Sequence, residues 1–507
     1  MKKILCLLLV AIMLATVLVS CKKKDDGSQN TNPTATTPTS DDPNRIPPEV
    51  KDFGGYEFKF VMDQQTDYEF QAPEEIGADG INKALIERNK KVESLYNVKI
   101  VEDRNPNGNT NGYNYLDSAS SSGDYFGDIY SNYALQMIQS HAIAGFYLDL
   151  GKLKSLRLGS EWWDQDFISE FMINGHIYTL TGDIQTNDDL HEIELAMNLT
   201  LYNRTYDPNN TGKFYDIVVK NKTWTFEEFY NTWYNFGTRD GGDQGWVDSD
   251  DMVGFFYDGR TASYMYMASG LKAFTIENNK PVLSIASDKA LKVMDNIQKI
   301  IDNDAGGLKT AMNAGPQAGP KPSGGSYEFT NQHFAAGKVL VRAANLGESV
   351  VENTDMEHSV VYVPFPKYDL AQERYYSLVH FCFEPIAISA NVEDPERTAL
   401  LTEALCFYSD ALETEVMKVL LKERLTSDLE AREMLQLVLD SKVYDFEYTA
   451  NVMGWTGLVN DTLMKKNQLS DYAPQMVAMS RQAVKGTGGG TLEKFLATYG
   501  ELDFRRK

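Results

Sequence analysis

The stretches YEFKFVM (residues 56–62) and GINKALIERNKKVESLYNVKIV (residues 80–101) decide the fold class. The first alternates apolar and other residues, which is typical of a β-strand. In the second, apolar residues from Ile81 to Leu95 recur at helical spacing on one face, and NVKIV at its end is again strand-like. A strand, a helix and a strand in this order predict a parallel sheet covered by helices, and hence an α/β fold.

Later segments continue this alternation of strands and helices. Asn174-Gly175 is the turn sequence of a tight hairpin. Residues 195–203 are expected to form an apolar strand. Thr225 stands three residues before Glu228, a spacing that predicts a capped helix start.

Three aromatic residues are expected in the core rather than at a site. Trp224, just before the predicted helix cap, is interpreted as a packing residue. Tyr264 and Tyr266 alternate with methionines, which favours the buried face of a strand.

The N-terminus has the pattern of a secretory signal. A lysine pair precedes the almost wholly apolar residues 4–19, which are followed by Ser20, Cys21 and a run of charge. The sequence LVSC (18–21) resembles a bacterial lipobox, so residues 1–20 are predicted to be a signal peptide and Cys21 to be S-acylated. The alternative is an ordinary secreted protein whose cysteine lies there by accident.

The next segment, residues 21–49, is predicted to be a lipidated flexible tether. It is rich in Ser, Thr, Asn, Asp and Pro, and Ile46 is its one large aliphatic residue between 22 and 48. Such a segment buries too little apolar surface to offset the entropy of ordering. The remaining chain of roughly 460 residues is longer than one core usually serves, so two lobes are expected.

Charge and cysteine content exclude some classes of function. The chain has 48 Lys and Arg against 72 Asp and Glu, a net charge of −24, so it lacks the basic surface that nucleic acids require. Cys382 and Cys406 are too few for a zinc motif. Buried thiols are the favoured interpretation, and a disulfide between them stays open.

Several segments, in this order, resemble the extracellular solute-binding lipoproteins of bacterial ABC importers, in particular the carbohydrate-binding branch of family 1. The resemblance covers nearly all of the chain after residue 50 and rests on the order and spacing of the segments. Its main segments are the lipobox, GDIYSNYALQMIQSHAIAGFYLDL (127–150), NGHIYTLTGDI (174–184), KTWTFEEFYNTW (222–233), FTNQHFAAGKVLVRAANLGE (329–348) and EPIAISANVEDPERTALLTEALCFYSD (384–410).

This resemblance implies a two-lobed periplasmic-binding-protein-like fold of type II. Each lobe would hold a mixed, mainly parallel sheet flanked by helices, with a hinge between the lobes. Carried onto this chain, lobe 1 would comprise residues 50–152 and 331–380, and lobe 2 would comprise residues 153–330 and 381–507.

Ligand contacts are expected where strands end. Sugar recognition needs flat apolar faces and polar groups for the hydroxyls, and ligands of open α/β sheets bind at the carboxyl ends of strands. That rule selects Asp63, Gln64 and Gln65 after the first strand, and Asn132 and Tyr133 after a later one. Each of them fits a solvated loop equally well.

The resemblance suggests five further cleft residues. Trp162 and Trp163 are expected either to offer a stacking surface for a sugar or to pack within a lobe. Asp183, Glu348 and Trp455 occupy positions where the family often places residues of the cleft.

Complete catalytic and metal-binding motifs are missing from the sequence. The chain contains no H-E-x-x-H, G-x-S-x-G or Walker A sequence, so it is expected to be no enzyme and to need no cofactor. Because carboxylates are abundant, a glycosidase stays the catalytic alternative. Residues 207–212 match only the first half of a calcium loop and residues 240–251 are acidic, so no metal is expected beyond a weak surface calcium site.

The sequence thus predicts a monomeric lipoprotein on the outer face of the cell membrane. It would capture an oligosaccharide and deliver it to an ABC permease. An outer-membrane glycan-binding lipoprotein of the starch-utilisation type is the first alternative; its helical repeats would give a mostly helical chain. The same fold binding a peptide or another solute is the second alternative.

Overall fold

The computed structural model divides the chain into Met1–Pro38 and Thr39–Lys507, and every residue it describes lies in the second unit. The described residues are 45–62, 70, 80–104, 122–236, 251–257, 260–277, 280–283, 287–301, 325–352, 356–418, 425–426, 428–451, 454, 456 and 459. The expected signal peptide, Cys21, Asp63, Gln64, Gln65 and Trp455 lie outside them.

The strands are short and distributed along the whole described chain. They are β1 (Tyr56–Met62), β2 (Val98–Arg104), β3 (Ile129–Ser131), β4 (Ile193–Asn198), β5 (Val253–Phe256), β6 (Phe274–Glu277), β7 (Lys280–Leu283), β8 (Val339–Asn345), β9 (Val360–Val363), β10 (Ser377–Leu378), β11 (Ile386–Ile388) and β12 (Lys442–Val443).

Helices lie between most of these strands. They are α1 (Gly80–Tyr96), α2 (Ala134–Gln136), α3 (Gln165–Phe171), α4 (Asn187–Leu190), α5 (Leu199–Tyr206), α6 (Lys213–Tyr215), α7 (Phe226–Phe236), α8 (Thr261–Ala268), α9 (Asp288–Ile301), α10 (Gly325–Ala335), α11 (Leu346–Glu352), α12 (Pro395–Phe407), α13 (Asp410–Lys418), α14 (Leu429–Leu439) and α15 (Phe446–Ala450). Wider π-helical turns extend α2 over Met137–Ala142 and α6 over Asp216–Lys220, and Leu150–Lys152 forms a 3₁₀ turn. Among the described residues, no helix combines the length and the apolar character needed to span a membrane.

The first sheet has the strand order β11-β3-β1-β2. β1 pairs in parallel with both β2 and β3, whereas β11 runs antiparallel to β3 at the edge. Phe58, Phe60 and Met62 alternate along β1 and are buried in the core. The parallel layer predicted from residues 56–101 is therefore confirmed.

Helix α1 covers this sheet as its periodicity predicted. Leu85 and Val92 are buried, and Ile81 and Leu95 are partly buried. The helix passes into β2 through Asn97 alone, whose φ of 48° lies in the left-handed region that Asn tolerates better than most residues.

The second sheet has the order β5-β8-β4-β9. β5 and β8 are parallel, and β4 runs antiparallel to both β8 and β9 between them. Three strands thus share a direction in each sheet and one opposes them. Because each sheet is buried by its own helices, the chain builds separate hydrophobic cores, one around each sheet. This mixed α/β architecture confirms the expected fold class.

The sheet pairing does not follow the expected lobe boundaries. β8 and β9, placed in lobe 1 by the sequence, pair with β4 in the second sheet. β11, placed in lobe 2, pairs with β3 in the first. The side chains of α3, also placed in lobe 2, pack in the first core. The chain first crosses between the cores near residue 190 rather than near residue 152, because Ile184 still packs in the first core and Ile193 packs in the second.

The predicted hairpin turn and the predicted helix cap were confirmed, whereas one predicted strand was partly wrong. Asn174 and Gly175 have positive φ in a tight turn, and the backbone N–H of Glu228 donates to the Thr225 hydroxyl at the start of α7. The strand expected over 195–203 was wrong in its second half. The Asn198 side chain accepts from the N–H of Leu201 and so starts α5.

The three aromatic residues expected in the core are all buried, but two of them lie on a different secondary-structure element from the one predicted. Trp224 is fully buried and donates to the carbonyl of Pro364, which confirms its packing role. Tyr264 and Tyr266 are buried, but they lie on helix α8 rather than on a strand. Every residue of α8 is buried, so the apolar pattern of a helix face is missing there.

Candidate functional site

A cavity of about 320 Å³ lies where the two sheets approach each other. It is open to solvent on one side and falls in the size range of small-molecule sites. Its lining residues among those described are Tyr133, His191, Ile193, Phe256, Tyr257, Arg260, Tyr264, Thr330, Asn331, Arg342, Ala343, Ala344, Asn345, Glu348, His380 and Cys382. We call this cavity the cleft site.

The cleft site follows the rule that ligands bind at the carboxyl ends of strands. β5 ends at Phe256 and β8 ends at Asn345, and both ends line the cavity. Because β4 runs antiparallel to β8, its first residue, Ile193, lies at the same edge. The second sheet therefore supplies most of the site.

Tyr133 is the contribution of the first sheet. It lies two residues after β3, is half-buried, and precedes the first turn of α2. The backbone N–H of the next residue, Ala134, donates to the carbonyl of Phe383 at 2.9 Å, which fixes this corner against the returning chain. The structure thus brings one of the residues expected after β3 into the cleft site.

Asn132, the neighbouring residue, is buried inside the protein. Its side chain is 1% exposed, and its amide donates to the Tyr130 hydroxyl at 3.0 Å. It does not line the cleft site. The strand-end rule therefore finds the correct corner but does not say which side chain of the turn faces the cavity.

Glu348, a residue implied by the resemblance, also lies in the cleft site. It stands in the first turn of α11, where its backbone N–H donates to the side chain of Asn345 at 2.8 Å. Asn345 ends β8 and begins the helix, so strand and helix meet at the cavity wall.

Two arginines line the same cavity. Arg342, on β8, is 2% exposed, donates to the Asn331 side chain, and lies 5.2 Å from the centre of the Phe334 ring. Arg260, which precedes α8, is half-buried and lies 4.7 Å from the centre of the Phe381 ring. Both guanidinium groups are therefore supported by aromatic faces.

The titratable groups beside the arginines are mostly neutral at physiological pH. Burial lowers the pKa of His191, and burial, together with His191 and Arg260, lowers the pKa of His380 well below its ordinary value. Burial also raises the pKa of the Cys382 thiol to about 12. This thiol is thus no ready nucleophile, because the reactive form is the thiolate.

The two cysteines among the described residues, Cys382 and Cys406, form no disulfide, as the sequence interpretation favoured. Cys406 is buried and Cys382 is half-buried.

Trp162 and Trp163 lie in the core and not in the cleft site. They are 4% and 0% exposed, and both indole N–H groups donate to the carboxylate of Glu403, at 3.0 and 2.8 Å. Rings buried in this way cannot stack on a sugar in this conformation. Of the two roles expected for them, packing is the one that fits.

Asp183 lines a different, acidic pocket beside the chain crossings. There the Lys442 ammonium lies 2.8 Å from Asp164, 2.9 Å from Asp189 and 3.5 Å from Asp188. Burial raises the pKa of Asp183 well above its ordinary value. Lys442 lies at the centre of this acidic cluster. We therefore interpret the cluster as a set of ion pairs that holds two of the chain crossings together.

No metal site emerges from the described residues, in which no group of three or more His, Cys, Asp or Glu side chains could hold an ion. The Asp207 carboxylate, in the half calcium loop, instead accepts from the backbone N–H groups of Thr211 and Lys213. The acidic stretch 240–250 lies outside the described residues.

Sequence reasoning missed most of the cleft site. Arg260, Tyr257, Asn331, Arg342 and His380 were not among the expected contacts. The signal that could have found some of them is the end of a strand, because Tyr257 follows β5 directly and Arg342 lies near the end of β8.

No protein family model matches the chain, and no curated protein sequence matches it. Solved structures do match. The galacto-N-biose-/lacto-N-biose I-binding protein of an ABC transporter from Bifidobacterium longum, in complex with lacto-N-biose, has a TM-score of 0.52 at 12% identity, over 86% of this chain and 98% of that chain. A family 1 extracellular solute-binding protein from Bifidobacterium longum subsp. infantis has a TM-score of 0.52 at 13% identity, over 84% and 99%.

At these identities the likeness concerns the fold. The expected resemblance is confirmed at that level, and it extends over most of each chain. The protein is an α/β chain with the two-lobed fold of extracellular solute-binding proteins.

Proposed function

We propose that the protein is the substrate-binding component of an ABC importer and that it captures a carbohydrate in the cleft site. The observation that carries this proposal is the position of the cavity. It lies at the carboxyl ends of strands, between two sheets with separate cores, in a fold shared with a protein solved in complex with lacto-N-biose.

The lining suits a sugar. Tyr133, which is half-buried, offers aromatic surface for the C–H face of a pyranose ring, and the buried Tyr257 and Tyr264 form part of the cavity wall. Asn331 and Asn345 carry amides that can pair with hydroxyl groups, which lose hydration on binding. An aromatic surface with a few placed polar groups is typical of small-ligand sites.

The connections between the sheets suit a closing motion. The chain passes between the cores near residue 190, between β10 and β11, between α12 and α14, and around β12. Bending at such crossings leaves both cores intact. A ligand that touches both walls favours the closed form by its additional contacts there, and we propose that the permease recognises this form.

The remaining features of the proposal come from the sequence. We propose that Cys21 carries the lipid and that residues 21–49 tether the body to the outer face of the cell membrane. We also propose that the protein acts as a monomer, binds no nucleic acid and leaves its ligand chemically unchanged.

The structure disfavours one of the two alternative functions and leaves the other as a competitor. Two four-stranded sheets among the described residues disfavour the helical-repeat architecture of the starch-utilisation type. The same fold with a peptide or another solute as ligand stays the competing function, because fold alone does not fix the ligand.

A thermal-shift screen of the chain from residue 21, with Cys21→Ser to prevent acylation, tests the proposal against glycans, amino acids and peptides. A glycan at a hundredfold its Kd is expected to stabilise the protein by about 2.7 kcal/mol. Tyr133→Ala should reduce this stabilisation, whereas Trp162→Phe should not, since Trp162 lies outside the cavity. Stabilisation by peptides alone would contradict the glycan, and hydrolysis of a glycan would contradict a binding role.

A further inference from the structure

The charges of the cleft site are opposite to the charge of the chain. The whole chain has a net charge of −24. Of the described residues that line the cavity, the charged ones are Arg260, Arg342 and Glu348. Two cations and one anion meet there, although acidic residues outnumber basic ones by half in the chain as a whole.

The buried carboxyls beside the cavity wall, Glu192 and Glu194, add little negative charge, because burial raises the pKa of both. Glu194 lies on β4, opposite Ala344 of β8, and accepts from the Ser349 hydroxyl at 2.8 Å. Burial raises its pKa to about 8, although Ser349 and Arg342 each act to lower the pKa. Glu194 is therefore largely protonated at neutral pH. His191 and His380 are neutral there as well, because burial lowers their pKa.

The two arginines are placed in a way that suits a planar anion. Each guanidinium lies against an aromatic ring, Arg260 on Phe381 and Arg342 on Phe334. Stacking engages the face of the guanidinium, whereas its N–H donors lie in the plane, where they match the two oxygens of a carboxylate. Arg260 is half-buried and is therefore the one that a ligand can reach more easily.

Helix α8 adds to the positive potential at the same place. Arg260 occupies the position immediately before its first turn, and Tyr264 of the second turn lines the cavity. The N-terminal end of the helix dipole therefore lies at the cleft wall and favours an anion within about one turn.

We propose that the natural ligand is an acidic glycan, in which at least one sugar carries a carboxylate recognised by Arg260, with Arg342 supplying further positive charge. This inference rests on the proposed function and narrows its ligand class. The same arrangement disfavours a cationic solute, which would face two arginines, in spite of the acidic composition of the chain.

The test is a binding screen of the Cys21→Ser chain from residue 21 against glycan pairs that share a skeleton and differ in one group. Useful pairs are oligogalacturonides with free and with methyl-esterified carboxyls, glucuronate-substituted and plain xylo-oligosaccharides, and carboxylated and sulfated forms of one disaccharide. The tightest ligand should carry a free carboxylate, and its affinity should fall as salt rises, while neutral glycans are little affected.

Single substitutions test whether Arg260 is the residue that binds the carboxylate of the ligand. Arg260→Gln should weaken the acidic glycan by about 10- to 100-fold, Arg260→Lys should weaken it less, and Glu348→Gln should strengthen it. Lys83→Gln on the exposed face of α1 removes the same charge from a residue that does not line the cavity and should change nothing. Circular dichroism and the unfolding midpoint of each ligand-free variant exclude misfolding as the cause.

Each outcome separates this inference from the proposed function. A preference for neutral or sulfated glycans would overturn the acidic ligand, and an acidic glycan whose binding is insensitive to Arg260→Gln would overturn its recognition by Arg260. Both results would leave carbohydrate binding intact. Failure of every glycan in the screen would overturn both.

Discussion

The groups that contact a single side chain determine its role in this protein. Glu403 illustrates this. It is fully buried on α12 and accepts from the indoles of Trp162 and Trp163 and from Arg157 at 2.7 Å. Two tryptophans that look like sugar platforms in the sequence are thereby held in the first core.

Glu403→Ala tests this role. It should lower the free energy of unfolding by about 2–4 kcal/mol, because it leaves a cation and two buried N–H donors without their acceptor. Urea unfolding measures the change, and Glu87→Gln on the exposed face of α1 is the control, expected within about 1 kcal/mol. Equal loss of stability in both variants would contradict this role of Glu403, and loss of ligand affinity without loss of stability would argue for a binding role of the tryptophans.

At the scale of elements, the two faces of β4 carry different kinds of side chain. Its apolar side chains, Ile193, Leu195 and Met197, enter one core, whereas Glu194 points to the opposite side of the strand. A strand buried on both faces must neutralise such a carboxyl, and burial does so by raising its pKa to about 8.

Stability should therefore depend on pH through Glu194. Because its folded pKa exceeds the ordinary value of 4.5, its contribution is complete below about pH 4.5 and is lost as the pH rises through about 8. Between pH 5 and pH 8 the wild type should lose about 3 kcal/mol relative to Glu194→Gln, in which this group cannot titrate. Denaturant unfolding at both pH values measures the difference, and a constant offset between the two proteins would show that Glu194 stays ionised.

Elements also explain which structural predictions succeeded. Helix α1 and strands β1 and β2 have one exposed and one buried side, so their periodicity is visible in the sequence. Helix α8 is buried on every side, and its tyrosines were assigned to a strand because they alternate with methionines. The cap of α5 at Asn198 depends on one side-chain hydrogen bond, which an apolar run conceals.

At the scale of the whole molecule, the proposed function requires that the two halves move. Binding of a stabilising glycan should reduce the radius of gyration measured by small-angle X-ray scattering, because the ligand adds contacts in the closed form only. Tyr133→Ala, measured with the same glycan at the same concentration, should scatter like the ligand-free protein. Superimposable curves for the wild type with and without saturating glycan would contradict closure.

The sequence by itself determined the α/β class, the expectation of two lobes and the corner at Tyr133, because burial patterns and strand ends are local properties that are visible in neighbouring residues. Only the tertiary structure decided which strands share a sheet, where the chain crosses between the cores, and that Tyr133, Arg260, Arg342, Glu348 and His380 meet in one cavity. These residues are separated by up to about 250 positions, and local periodicity holds no information on contacts at that distance. The same limit explains the charge of the cleft site, since net charge averages over the chain whereas a site depends on the few side chains that folding brings together.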